Sequence, residues 1–450
     1  MTEIPPTNQP FTGAGTSRVS SATRDYLHKV TLFSRNARLY MVHIVGMDTI
    51  HGTWEVIFNL YLLAIGFGIE FIGLRLLIAG IAGAVASIPA GLVSDRIGRK
   101  ASFILGDGVG AVVAMVNITT TNSTILLITP VIGTVFGRLH GVTEPAFMAE
   151  NTEPPERVHL FSVSASARTA AAMVGSLLAG ALPALALTLA DTIAAYRAAS
   201  FIGIVLWFLS LIPALLLRER PRFEADHPST VPAGSPLRRL MGLGNIRHPR
   251  RVAQLVLTGA LLSAGAGFTI PLFNVFFHEG LHAHELAIGG TFAAGSAALA
   301  LASLLAPFLA ERLGKVPSVF TTRLASVPFI LLIAASPELS QNAFEVGLTV
   351  AGFAFIARTT LMNMSAPVEE AFAMEILDPR ERATQVGIEG AVASILLAAG
   401  GFLGARMMAG GDFQTPFLIM AACYLASTLL FFTFFRGLDR PSAETEPFSA

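Results

Sequence analysis

Asp48, His51 and Glu55 stand at i, i+3 and i+7 in an otherwise apolar stretch, so a helix would place all three on one face. A second apolar stretch carries Arg138, His140 and Glu144, and later ones carry Asn274, Arg358 and Glu389. These residue types exchange protons or hold charge. A proton on a carboxylate beside an arginine neutralises the acid, frees the arginine and changes which ligand the site prefers. The competing reading is an ion pair that fixes packing or register. Counted from the ends next to the basic loops, Arg138 lies about eleven residues deep and Asp48 and His51 about nine to twelve. Contact of Arg138 with Asp48 or His51 is therefore feasible.

The elements that must position these groups are membrane helices. Hydrophobic residues make up 53% of the 450, charged residues only 13%, and the mean hydropathy is +0.64, which marks an integral membrane protein. Twelve apolar stretches can each cross a hydrocarbon core of roughly 30 Å. The first six run near Leu39 to Gly66, Phe71 to Val93, Phe103 to Thr119, Ile125 to Ala149, Phe161 to Leu189 and Tyr196 to Leu217. The second six run near Val252 to Phe277, Leu286 to Leu309, Val316 to Ala335, Ala343 to Pro367, Val386 to Met408 and Phe413 to Phe435. Their continuous Leu, Ala and Gly content argues against a β-barrel, whose strands alternate. Gly46 and Gly52 in the first stretch, and Gly175 and Gly180 in the fifth, allow close helix approach.

Arginine and lysine set the orientation. Arg18, Arg24, Lys29, Arg96, Arg99, Lys100, Arg312, Lys315, Arg380 and Arg436 fall on one side, and little beyond Arg75, Arg197 and Arg406 falls on the other. The positive-inside rule then predicts cytoplasmic termini and a multi-pass protein of the inner or plasma membrane. Residues 1–38 form a cytoplasmic tail without a separate signal peptide, and Arg18 to Arg38 has the makings of an amphipathic surface helix. Residues 39–217 and 252–436 form two six-helix bundles, 218–251 a cytoplasmic central linker rich in proline and arginine, and 437–450 a cytoplasmic tail. Net charge is zero, so nothing points to nucleic acid as a partner. The single cysteine, Cys423, has no mate within the chain.

The two halves echo each other. Gly91, Asp95, Arg96, Gly98 and Arg99, followed by Lys100, recur in weaker form 216 residues later as Pro307, Glu311, Arg312, Gly314 and Lys315. The segment from Ala146 to Arg157 aligns with Ala371 to Arg382, and Phe58 and Asn59 align with Phe273 and Asn274. Gly91 and Gly98 permit tight turning, and a contact among Asp95, Arg99 and the acidic loop at Glu150, Glu153 or Glu156 would latch one face. Departures at Pro307 and Glu311 weaken a symmetric latch with Arg312. Glu144 and Glu369 correspond by the repeat and are placed as gate or latch groups. Asp107 and Arg168 are buried by hydropathy and expected to pair structurally.

The pattern G-x-x-x-D-R/K-x-G-R-R/K at Gly91 to Lys100, with six-plus-six topology and a long central loop, resembles the major facilitator superfamily over Leu39 to Arg436. The resemblance implies an all-α fold of twelve transmembrane helices in two pseudo-symmetric bundles that rock around a central site. It also implies first and fourth spans lining the cavity, a conformational latch at Asp95 and Arg99, a role for Arg138 in proton transfer, and function as a monomer. The leading expectation is a proton-coupled antiporter for efflux of small lipophilic compounds, since the spans are strongly apolar. The alternatives are uptake of a small organic anion clamped by Arg138 and Arg358, lipid or lysolipid movement, and a non-transporting receptor. Partners are thus a small-molecule substrate, protons and the bilayer. No phosphate-binding loop, nucleophile elbow or zinc-protease motif is present, so neither a cofactor nor an enzyme is expected. His278, His282 and His284 read as an exposed polar loop rather than a metal site.

Overall fold

The computed structural model describes residues 33–152, 154–186, 191–219, 246–303 and 305–438. Residues 18–32 of the expected surface helix and most of the central linker lie outside this set, and Arg35 to Arg38 form the first turn of the first long helix rather than the end of a separate surface helix. The first half comprises α1 (Arg35–Ala64), α2 (Ile69–Ile97), α3 (Arg99–Thr119), α4 (Ser123–Glu150), α5 (Pro154–Ala186) and α6 (Thr192–Leu215). The second comprises α7 (Pro249–Gly267), α8 (Glu285–Ser303, continued by Ala306–Leu313), α9 (Lys315–Asn342), α10 (Phe344–Asn363, continued by Ala366–Ile376), α11 (Pro379–Ala409) and α12 (Thr415–Phe435). No strand occurs among the described residues.

Among the described residues, eleven helices are long and apolar enough to cross a membrane. The exception is α1, whose 30 residues suffice in length but include Arg35, Arg38, Asp48 and Glu55. It is sheltered by packing against α5 and α6. Helices also overrun the hydropathic limits by about a turn, because the hydrogen-bond ladder continues into water where hydropathy stops. The expected seventh span is a broken one. After Gly267 it passes through a 3-10 turn at Ile270–Leu272, a single α turn at Phe273–Val275 and a π turn at Phe276–Gly280. Pro271 lacks an N–H, and Gly267 approaches Leu397 and Gly400 of α11 so closely that a Cβ would stand 2.4 Å from the Leu397 carbonyl oxygen.

Packing repeats between the halves. Contacts of α1 with α5 and α6, α2 with α4, and α3 with α4 and α6 are matched by α7 with α11 and α12, α8 with α10, and α9 with α10 and α12. The halves meet along α2 with α11 and along α5 with α8, again a symmetric pair. Backbone detail repeats too. Gly98 (φ 100°) and Gly314 (φ 88°) each hold the left-handed region between two helices. Ser102 and Ser318 each donate a side-chain hydrogen bond to the carbonyl of that glycine. Outward positions such as Val112, Ile128, Leu209 and Phe353 are exposed, while polar groups such as Asp107, His43 and Arg358 are buried, the arrangement lipid solvent requires.

One crossing governs where the charges sit. The backbones of α1 and α5 touch at Gly52 and Gly175, where a Cβ would fall 2.1 Å from the Ala172 carbonyl oxygen and 2.0 Å from that of Thr49 respectively. Gly175→Ala is therefore expected to cost about 1–3 kcal/mol through overpacking. Gly137, around which a Cβ meets nothing within 4 Å, is the control. Thermal melts in detergent should show a lowered midpoint for Gly175→Ala and none for Gly137→Ala.

Candidate functional site

The face where α1 begins and α12 ends is termed proximal, the opposite face distal. A cavity of about 370 Å³ lies between the halves, lined by α1, α2, α4, α8 and the broken stretch after α7. Trp54 and Phe58 stack along one wall, with centroids 4.2 Å apart and planes 15° from parallel. Glu55 and Arg75 also line it. Asn59 Nδ2 donates to the Asn274 side-chain oxygen at 2.9 Å and to the Pro271 carbonyl, and Asn274 Nδ2 donates to the Val56 carbonyl. The two asparagines related by the sequence repeat thus meet on the distal side of the cavity.

Arg75 was assigned from its sequence position to the far loop, yet it is only 7% exposed. It donates to the Leu126 carbonyl, to Thr129 Oγ1 and to Asn117 Oδ1, and its guanidinium carbon lies 5.1 Å from the Phe58 ring centre. A charge at a helix end can be reached by water or buried by neighbours, and hydropathy does not separate the two cases.

Deeper in the first half, the glycine crossing brings Asp48 beside Arg168. Arg168 Nη1 lies 3.8 Å from Asp48 Oδ2, and Arg168 Nη2 pairs tightly with Glu144 Oε1. Arg168 also donates to the Tyr40 hydroxyl, which lies 3.3 Å from His140 Nε2. His51 Nδ1 is 3.5 Å from the other Asp48 oxygen. Asp48 Oδ2 makes no hydrogen bond, so its hold on Arg168 is electrostatic only. His43 Nε2 and His140 Nδ1 both approach Asp107 Oδ2, at 2.9 and 2.8 Å.

The partner of Asp48 is therefore Arg168, not Arg138. Arg138 instead reaches across the halves to Ser394 Oγ at 3.3 Å. Arg358 is buried among aromatic groups, donating to the Tyr424 hydroxyl at 2.6 Å with Phe273 nearby. It is not brought to Arg138. Helical depth alone made the Asp48 and Arg138 match plausible; which faces meet was decided by Gly52 and Gly175.

At the proximal face Arg99 joins Asp95 at 2.9 Å and Glu150 at 3.1 Å. Arg96 is exposed beside them. The side chain of Glu156 and residue 153, also weighed as latch groups, lie outside the description. In the second half Lys315 pairs with Glu375, reproducing the Arg99 and Glu150 contact despite the altered motif. Arg323 pairs with Glu369. Glu311 is exposed, and Arg312 lies over the Phe308 ring at 4.3 Å. Each of these contacts joins groups of one half. The histidines of the distal loop do not share a helical face, since His278 sits in the π turn and His282 has φ 51°.

A family model described as Major Facilitator Superfamily matches residues 49–371. The chain belongs to that superfamily. A mutant form of nucleoside transporter NupG superposes with a TM-score of 0.68 at 16% identity, covering 89% of this chain and 100% of that one. The human organic anion transporter MFSD10 (TETRAN) superposes at 0.58 with 17% identity, covering 88% and 99%. No curated protein sequence matches. These likenesses share the fold, and with the family they make the chain a multi-pass secondary transporter.

In a transporter of this superfamily, buried pairs and surface pairs carry different weights. The Asp95, Arg99 and Glu150 cluster is largely exposed and contributes no more than about 1 kcal/mol. Asp95→Asn is expected to change the ratio of proximal-open to distal-open forms by several-fold at most, read by spin-label distances across the proximal face. Arg168 holds two acids, so Arg168→Met should destabilise by about 2 kcal/mol or more. Glu144→Gln added to that variant should recover part of the loss in detergent unfolding.

Proposed function

We propose that the protein is a proton-coupled transporter that exports small lipophilic compounds, neutral or cationic, carrying a flat aromatic group. The proximal face is cytoplasmic in this reading, the membrane the cell's inner or plasma membrane, and the working unit a monomer. The observation that carries it is the cavity wall, where the stacked Trp54 and Phe58 adjoin Glu55. Such a wall suits an aromatic ligand by stacking and a cationic one by charge. His51 and Asp48 lie one and two turns proximal of Glu55, and Asp48 is loosely held by Arg168. A proton and a cationic ligand compete for carboxylates so placed, which is the thermodynamic requirement for exchange.

Uptake of an anion, the cargo class named for MFSD10, is supported less well. Arg75 lines the cavity, but its guanidinium is already committed to Leu126, Thr129 and Asn117. Arg138 and Arg358 have separate partners in different environments. The nucleoside named for NupG would fit the aromatic wall as a neutral ligand, and belongs in the same panel.

The test is a thermal-shift panel of lipophilic cations, neutral aromatics including nucleosides, organic anions and lysolipids at two pH values. A lipophilic cation should stabilise more at the higher pH, and Glu55→Gln should abolish that difference. Selective stabilisation by an anion would transfer the assignment to uptake. With the ligand so found, Asp48→Asn in proteoliposomes should lose gradient-driven accumulation while retaining exchange; undiminished accumulation would remove Asp48 from coupling.

A further inference from the structure

The buried group behind the cavity wall has one proton fewer than its hydrogen bonds require when its histidines are neutral and its aspartate ionised. His43 Nδ1 lies 2.8 Å from the Ser210 carbonyl oxygen, which only accepts, so Nδ1 must carry a hydrogen. In neutral imidazole Nε2 would then be a bare acceptor. That nitrogen faces an Asp107 oxygen at 2.9 Å, another acceptor, with His43 fully buried and Asp107 2% exposed. Two lone pairs at that separation, away from water, repel. His140 has no such conflict: its Nδ1–H donates to Asp107 Oδ2 while Nε2 accepts from the Tyr40 hydroxyl, itself receiving a hydrogen from Arg168. A single added proton on His43 Nε2 satisfies the whole set.

We infer that His43, Asp107 and His140 form a buried proton-binding site, with the proton on the bond from His43 Nε2 to Asp107 Oδ2. The titratable and charged groups facing it are Tyr40 on α1, Glu144 on α4, 3.9 Å from His140 Nε2, and Arg168 on α5; α6 contributes the Ser210 carbonyl. These connect it to Asp48, two helical turns from Glu55 at the cavity. A divalent cation among the three side chains would instead space their donor atoms by roughly 3.4 Å, as bonds of about 2.1 Å in a tetrahedron demand. The observed 2.8 and 2.9 Å are hydrogen-bond lengths.

Loss of the proton is a simple dissociation. It leaves His43 neutral and Asp107 with an uncompensated buried charge. Arg168 is the cation able to answer it, and movement of Arg168 toward His140 would weaken its hold on Asp48. The link to transport rests on the proton-coupled reading above; the existence of the proton site does not.

The two are tested apart. Full-length protein with ¹⁵N-histidine, in lipid nanodiscs, is measured by ¹⁵N NMR at about pH 7, where an exposed histidine is largely neutral. His43→Gln and His140→Gln assign the signals. Both His43 ring nitrogens should be protonated. Asp107→Asn, whose amide nitrogen in the place of Oδ2 can donate one hydrogen to His43 Nε2 and the other to His140 Nδ1, with the His140 hydrogen moved to Nε2, should retain the fold and convert His43 to a neutral ring. A neutral His43 in folded wild-type protein, or a metal-bound nitrogen signal with stoichiometric metal in the purified protein, would overturn the site whatever transport does. If Asp48→Asn transports normally while the His43 imidazolium persists, the coupling role of Asp48 falls and the proton site stands.

Discussion

Arg168 is the interaction on which the first half's interior depends. It sits about two turns before the Gly175 crossing on α5, joined to Glu144, Tyr40 and Asp48. Without it, two carboxylates would face each other inside a membrane bundle, where an unpaired charge costs several kcal/mol. The glycines at 52 and 175 make this possible, because a helix pair held apart by even one methyl would stretch an ion pair already at 3.8 Å. Small residues are the means by which a lipid-solvated protein brings polar groups together, since lipid supplies no hydrophobic force between helices.

The second half has the same scaffold with different charges. The 216-residue offset carries Asp107 to Arg323, and the 225-residue offset carries Glu144 to Glu369. An acid bound by two histidines in one half is thus replaced by an arginine bound to a glutamate in the other. Gln385 and Glu389 form a further contact on α11, and the Glu389 carboxylate packs against Gly259 of α7. Only the first half therefore combines histidines with acids in one buried cluster among the described residues. Backbone symmetry is of the kind that permits two halves to rock, while the buried polar side chains differ between them.

The topology was legible because each element announces itself locally: apolar runs, the Gly91 to Lys100 motif and its echo, and the basic bias of alternate loops. The echo even contained a contact, since Asn59 and Asn274 at one offset in pseudo-symmetric spans meet near the axis. The site was legible only in its residue types. The sequence pattern marks Asp48 but not its partner Arg168, and it marks Asp107 as buried without joining it to His43. Their connection depends on rotation of α1, α3 and α4 about their own axes, which helical depth does not encode. Histidines at 43 and 140 with an acid at 107, all about eight to ten residues from a proximal helix end, were the available signal.

The placement of strong and weak contacts bears on how the halves move. Of the contacts that join the halves, those of Asn59 with Asn274, Gly180 with Gly289 and Gly73 with Ala405 lie on the distal side and those of Arg138 with Ser394 and Gly80 with Ala398 at mid-depth, whereas the proximal ion pairs described above each stay within one half. Opening the distal side must break close backbone packing, while the proximal clusters at Arg99 and Lys315 can travel with their own halves intact. A bias of about 1 kcal/mol from each exposed cluster changes a two-state ratio only about fivefold. The exposed clusters therefore set only a small bias, and the stronger electrostatic contacts of the first half lie inside the bundle, where Asp107, His140, Tyr40, Arg168 and Asp48 follow one another in a chain of contacts.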